Sequence, residues 1–268
     1  MSTTKDGIVN YERRGSGAPL VLIHGVGANL SSWDGVCAAL EDQFDVLRLD
    51  LRGHGASARV DGSLTVDDFA GDVLKIMDEE GIVQAHVVGF SLGGLIVQRL
   101  ASRWPERFDR IVILSAVAGR TSEERARVLA RLGAIRKDGI DAIVGPAMDR
   151  WFTKEFAEQH PELIENRIAE LKAVHIPSYL EAYRVFGETE LIDDLHLIPN
   201  DTLVMTGEFD PNSNVRMAKA IRERIPNSEL RILSDLKHSV LVEAPELIAG
   251  HVKEFLSRQS GKDVAAHG

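Results

Sequence analysis

The stretch Val87-Val88-Gly89-Phe90-Ser91-Leu92-Gly93-Gly94-Leu95 constrains this chain more than any other. A β-branched apolar run stops at Gly89, a single serine sits between two glycines, and a long apolar segment follows. That order predicts a strand, a sharp turn and a helix, with Ser91 at the apex. Gly-x-Ser-x-Gly is the pattern of a nucleophile elbow. So tight a turn leaves no room for bulky side chains two residues before and two after the serine. Gly89 and Gly93 meet that need, and Gly94 lets the helix lie close on the sheet. The serine hydroxyl then stands at a helix N-terminus, where backbone N–H groups favour developing negative charge.

The surrounding pattern agrees with a parallel sheet. Residues 8–13 alternate like an edge strand, whereas 20–23, 44–49, 85–88 and 111–114 are largely apolar, as strands buried on both faces should be. Helices are expected over 30–40, from Thr65 to Gly81, and from Ser91 to a stop at Pro105. Strands alternating with helices imply an α/β fold, a sheet covered on both faces. The alternation lapses between Gly119 and Leu195. There only helical spacing appears, around 128–135, 140–152, 161–174 and 177–186. It resumes with strands at 202–205 and 230–233 and helices at 214–224 and 245–256. The expected organisation is a core of 1–119 and 196–268 with a helical insertion at 120–195. The tail from Ser257 reads as a frayed end.

Composition narrows the function classes. A net charge of −10 over 268 residues argues against sequence-independent binding to nucleic acid or to an anionic membrane surface. Cys37 is the only cysteine, which leaves no disulfide framework and no thiolate metal cluster. The N-terminal residues lack the apolar core of a signal peptide, and no run approaches the ~18 apolar residues of a membrane span. A complete, soluble, cytoplasmic protein is expected.

A serine hydroxyl needs a base, usually a histidine oriented by a carboxylate. In an α/β chain these groups lie on loops beyond the C-terminal ends of strands. His238 follows the last strand and is the best-placed base. His24 and His54 sit in glycine-rich turns, His86 opens a strand at the wrong end, and His251 falls within a helix. For the acid, the loop Thr206-Gly207-Glu208-Phe209-Asp210-Pro211 offers Asp210, with Glu208 and Asp235 as rivals. The order Ser91, Asp210, His238 is the one expected behind this elbow. Two oxyanion donors are expected, the N–H of Leu92 and that of Val26 in the His24-Gly25-Val26-Gly27 loop. No His/Asp/Glu spacing reads as a metal site, and the glycine loop lacks the features of a phosphate loop.

These signatures together resemble the α/β-hydrolase superfamily: the His24-Gly25 loop, Asp50-Leu51-Arg52-Gly53-His54-Gly55, the Ser91 elbow, and the Asp210 and His238 loops. The resemblance implies an eight-stranded, mostly parallel sheet with helices on both faces and the inserted helices as a cap. Arg150-Trp151-Phe152-Thr153-Lys154-Glu155-Phe156, His160-Pro161 and the 179–195 stretch are similar to segments of 3-oxoadipate enol-lactonases. A serine hydrolase acting on a small ester or lactone is therefore expected, with no metal or organic cofactor. If the substrate is a dicarboxylate-derived enol-lactone, a cationic group must meet its free carboxylate; the cap supplies Arg125, Arg131, Arg150 and Arg184, with no choice among them, and Trp151 is a candidate for the pocket wall. C–C bond, amide and peroxide chemistry are rivals on the same fold, and a slow-turnover ligand receptor is the rival from another class.

Overall fold

In the computed structural model, which describes residues 1–258, the apolar runs assemble one eight-stranded sheet. Its strands are β1 (Ser2–Thr3), β2 (Asn10–Gly15), β3 (Ala18–Ile23), β4 (Phe44–Leu49), β5 (Ala85–Phe90), β6 (Phe108–Leu114), β7 (Thr202–Gly207) and β8 (Ser228–Leu233). The spatial order is β1-β2-β4-β3-β5-β6-β7-β8. From β4 to β8 neighbours pair in parallel, while β2 pairs antiparallel with both β1 and β4.

Alternate residues of the central strands feed two separate cores. Val21, Ile23, Val87, Ile111, Ile113 and Val204 pack on one face, and Leu20, Leu22, Val88, Val112, Leu203 and Met205 on the other. Helices cover both faces, so neither set meets water and the runs are apolar throughout rather than alternating. The core helices are α1 (Asp34–Cys37), α2 (Val66–Glu79) and α3 (Leu92–Arg103). Between β6 and β7 come α4 (Ser122–Asp138), α5 (Asp141–Trp151), α6 (Lys154–Gln159), α7 (Pro161–Lys172) and α8 (Ile176–Glu188). The chain then adds α9 (Val215–Arg224), α10 (Val240–Glu243) and α11 (Pro245–Leu256). The inserted helices share a third apolar cluster that includes Ile143, Ala147, Phe152, Leu171 and Tyr179.

Three expectations are corrected. The helix expected over 30–40 is a 3₁₀ turn, Leu30–Trp33, followed by the short α1. The Leu30 N–H donates to the Asp50 carboxylate at 2.7 Å and its carbonyl accepts from Arg48, so both backbone groups of Leu30 are bonded to side chains outside the turn. The insertion holds five helices rather than four. The additional one, α6, buries no residue and so carried no apolar periodicity to read. The two-residue β1 was also too short to detect. The expected frayed end lies, past Arg258, outside the described residues. No helix among the described residues is long and apolar enough to cross a membrane.

Candidate active site

Ser91 stands between the end of β5 and the first turn of α3, with φ 56° and ψ −112°. Its N–H donates to the Leu114 carbonyl at 2.9 Å, which ties the turn to β6. The glycines act through close approach. A Cβ on Gly89 would strike the Gly93 backbone, and one on Gly93 would strike the carbonyls of Ile23 and His24.

The loops after β7 and β8 bring the other groups to this apex. The Ser91 hydroxyl donates to His238 Nε2 at 3.2 Å, and His238 Nδ1–H donates to Asp210 Oδ2 at 2.6 Å. The Asp210 carboxylate faces Nδ1, so the ring proton belongs there and Nε2 is left as the acceptor. Asp210 is itself oriented by the N–H groups of Asn212 and Ser213, which donate to Oδ1 at 2.8 and 2.9 Å. All three side chains are buried. Such a relay can withdraw a proton from the serine as the oxygen attacks an electrophile.

The two rival acids stand apart from the imidazole. Glu208 is exposed and accepts from the Asp235 N–H at 3.3 Å. Gly207, in the acid loop, has a backbone that is not left-handed. It is needed because a Cβ there would run into the backbone carbonyls of Leu236 and Lys237. That approach lets the Phe209 N–H donate to the Leu236 carbonyl at 2.9 Å and locks the acid loop to the histidine loop.

Val26 borders the same cavity as Ser91, and Leu92 follows Ser91 directly in the chain. A Cβ on Gly25 would lie 3.0 Å from Ser91 Cβ, so the loop carrying Val26 abuts the serine. Leu92 is the first residue of α3, where the backbone N–H has no acceptor within its own helix. His24 and His54 are accounted for by packing. His24 is fully buried, accepts from the Leu51 N–H at 3.0 Å and donates to the Gly25 carbonyl at 2.7 Å; burial pushes its pKa down to about 3. Burial likewise pushes His54 down to about 4.

Above Ser91 lies a cavity of about 460 Å³ whose floor is the Gly25 loop, Phe90, Ser91 and His238 and whose roof is the inserted helices. Trp151 lines it. Of the four arginines considered from sequence, Arg131 and Arg150 border the cavity, whereas Arg125 does not and Arg184 is bound to Glu181 and Glu188. Arg131 Nε donates to the Tyr183 hydroxyl at 2.8 Å. Arg150 has a buried Nε without a partner, and burial, then the neighbouring Arg131 charge, lower its pKa. Among the described residues neither forms an ion pair with a carboxylate. Sequence reasoning missed Arg167, which lies over the Trp151 ring at 5.0 Å and donates to the Gly27 carbonyl at 2.7 Å. It also pairs with Glu170 one turn on at 3.0 Å, but Gly27 lies 140 residues away and no local spacing signals that contact. Among the described residues no group of three or more His, Cys, Asp and Glu is arranged to hold a metal ion.

Residues 18–132 match the family described as the alpha/beta hydrolase fold. The chain is 31% identical to 3-oxoadipate enol-lactonase 2 of Acinetobacter baylyi over 96% of each protein. It is 28% identical to the (E)-2-((N-methylformamido)methylene)succinate hydrolase of the same organism, over 92% of this chain and 93% of that one. The crystal structure of the enol-lactonase from Burkholderia xenovorans superposes with a TM-score of 0.90 at 26% identity, covering 96% of this chain and 99% of the other. Likeness of this extent covers nearly the whole chain, and the chain is accordingly an enzyme belonging to the α/β-hydrolase superfamily.

Proposed function

We propose that this protein is a serine hydrolase that opens a small carboxylic ester or lactone bearing a free carboxylate. The observation that carries the reading is the relay from Asp210 through His238 to Ser91 at the floor of the cavity. His238 Nε2 takes the Ser91 proton as Oγ attacks the ester carbonyl. The resulting oxyanion is met by the N–H groups of Val26 and Leu92. Collapse breaks the C–O bond, His238 returns the proton to the leaving oxygen, and an acyl-enzyme remains. A water deprotonated by His238 then attacks the acyl carbon, and Ser91 leaves with that proton. Asp210 holds the imidazolium that forms in each half. Residues 120–195 serve as a cap on a core of 1–119 and 196–268.

The carboxylate enters through the roof. Arg131 and Arg150 face the cavity without carboxylate partners among the described residues, and the named substrates of two relatives are built on dicarboxylic acids. A guanidinium is suited to a planar carboxylate, which it can bind through two parallel hydrogen bonds. The formamide relative makes amide cleavage the second reaction to test. Two experiments address the proposal. A fluorophosphonate probe should label the protein and leave Ser91→Ala unlabelled; equal labelling of both would remove Ser91 as nucleophile. A panel of enol-lactones, aliphatic half-esters and formamides, compared by kcat/KM, should favour the first two classes, and a preference for the formamides would overturn the ester assignment.

A further inference from the structure

The loop bearing His238 is fastened on both sides to the inserted helices. Before the histidine, Lys237 Nζ donates to the Asp149 carbonyl at 2.6 Å. After it, the Ser239 N–H donates to the Trp151 carbonyl at 2.9 Å. At the far end of α10, the Glu243 carboxylate accepts both donors of Thr153, the N–H at 3.0 Å and the hydroxyl at 2.8 Å. Residues 149, 151 and 153, around the C-terminal end of α5, thus grip residues 237, 239 and 243 around the histidine. None of these bonds involves Ser91, His238 or Asp210.

Glu243 is an unusual choice for a packing residue. It is half-buried, and among the described residues it forms no ion pair. Burial pushes its carboxyl above the usual range, while the two Thr153 bonds act in the opposite direction. A carboxylate so placed is costly unless its hydrogen bonds are made, so it favours the arrangement in which Thr153 is docked. α10 begins just after His238, and its Val240 N–H donates to the His238 carbonyl at 2.9 Å. Fixing Glu243 therefore fixes the short helix that the histidine leads into.

We infer that Glu243 and Thr153 are positioning residues for the catalytic base, so that the inserted helices set the Ser91–His238 geometry as well as roofing the cavity. The inference rests on the reading of His238 as that base. The serine–histidine bond, at 3.2 Å, is the longer link of the relay, and misplacement by about 1 Å can cost on the order of 10²-fold in rate.

Glu243→Leu removes both acceptors. Thr153→Val removes the hydroxyl that also receives the Phe156 N–H at 3.3 Å at the start of α6, so it is paired with Thr153→Ser, which keeps both bonds. Glu243→Gln can still accept the Thr153 N–H and donate to its hydroxyl. Active sites are counted by burst titration with an ester that acylates quickly, and kcat is expressed per titrated site. Glu243→Leu is expected to lose about 10–100-fold in kcat per site, with KM changed less than about threefold. Fluorophosphonate labelling of Ser91 should slow in parallel, and Glu243→Gln and Thr153→Ser should restore most of the rate. A merely structural role would reduce the number of titrated sites and leave kcat per site intact, which would overturn the inference. Ser91→Ala in the same assay keeps the two readings apart. If it is labelled, the triad reading fails. If it is silent while Glu243→Leu turns over at the parent kcat per site, only the clamp fails.

Discussion

At Ser91 the backbone is held in the left-handed region, a conformation shared among the described non-glycine residues only by Ser115 and Asp235. Such backbone costs on the order of 1–3 kcal/mol and persists only where neighbours enforce it. Here the Leu114 carbonyl holds the Ser91 N–H, and the Ser91 carbonyl accepts from Leu95 at 3.1 Å. Gly89 and Gly93 were legible because a tight turn dictates small residues at fixed offsets. The reason for Gly207 was not, because it concerns the approach of a loop some thirty residues later. Asp210 is the residue-scale test of the relay. Asp210→Asn removes the charge beside the imidazolium and disturbs the tautomer, so kcat/KM should fall about 10²–10⁴-fold. Hydrolysis of a good ester substrate measures it, and a loss under tenfold would remove Asp210 from the acid position.

Among the elements, α4 and α5 turn Arg131 and Arg150 toward the cavity, while α8 spends Arg184 on Glu181 and Glu188 of the same helix. Helical spacing in the sequence located these helices without telling which way each one faces. Facing follows from packing, as when Ile135, Ile143, Ala147 and Phe152 close the third cluster and leave Arg131 and Arg150 on the cavity side. Charged hydrogen bonds contribute roughly 1.5–3 kcal/mol each. Arg131→Met and Arg150→Met should therefore each raise KM for a dicarboxylic half-ester by about 10–100-fold. The corresponding neutral diester should change by less than about threefold. Equal effects on both esters in steady-state kinetics would show that these arginines do not read a carboxylate.

For the whole molecule, buried histidines couple stability to pH. His24 and His54 lie with ring centroids 5.3 Å apart and are held down to about 3 and about 4, chiefly by burial. The unfolded chain protonates them near 6.5, whereas the folded chain keeps them neutral. Stability is therefore undiminished by them above pH 6.5 and falls as pH drops below it, because the unfolded state then binds more protons. Between pH 6.5 and 5 the loss is about 2 kcal/mol per histidine. His86 and His251, also lowered, act in the same direction. Urea unfolding at pH 7 and pH 5 should differ by roughly 4 kcal/mol or more, and His54→Gln should reduce the difference by about half of that. Indistinguishable unfolding free energies at the two pH values would contradict the burial of neutral imidazoles.

By itself the sequence determined the sheet, the elbow and the chain order of Ser91, Asp210 and His238. Each of these follows from local rules: apolar runs for strands buried on both faces, glycines where a turn excludes side chains, and polar groups just beyond strand ends. Only the tertiary structure decided which arginines border the cavity, that Arg167 reaches the Gly27 loop, and that Thr153 bonds Glu243 at the end of α10. Those contacts join residues 90 and 140 positions apart, the cap residue before α6 to α10 and α7 to the loop after β3. Their geometry depends on how helix faces are rotated by the cores beneath them, and no pattern along the chain encodes that rotation.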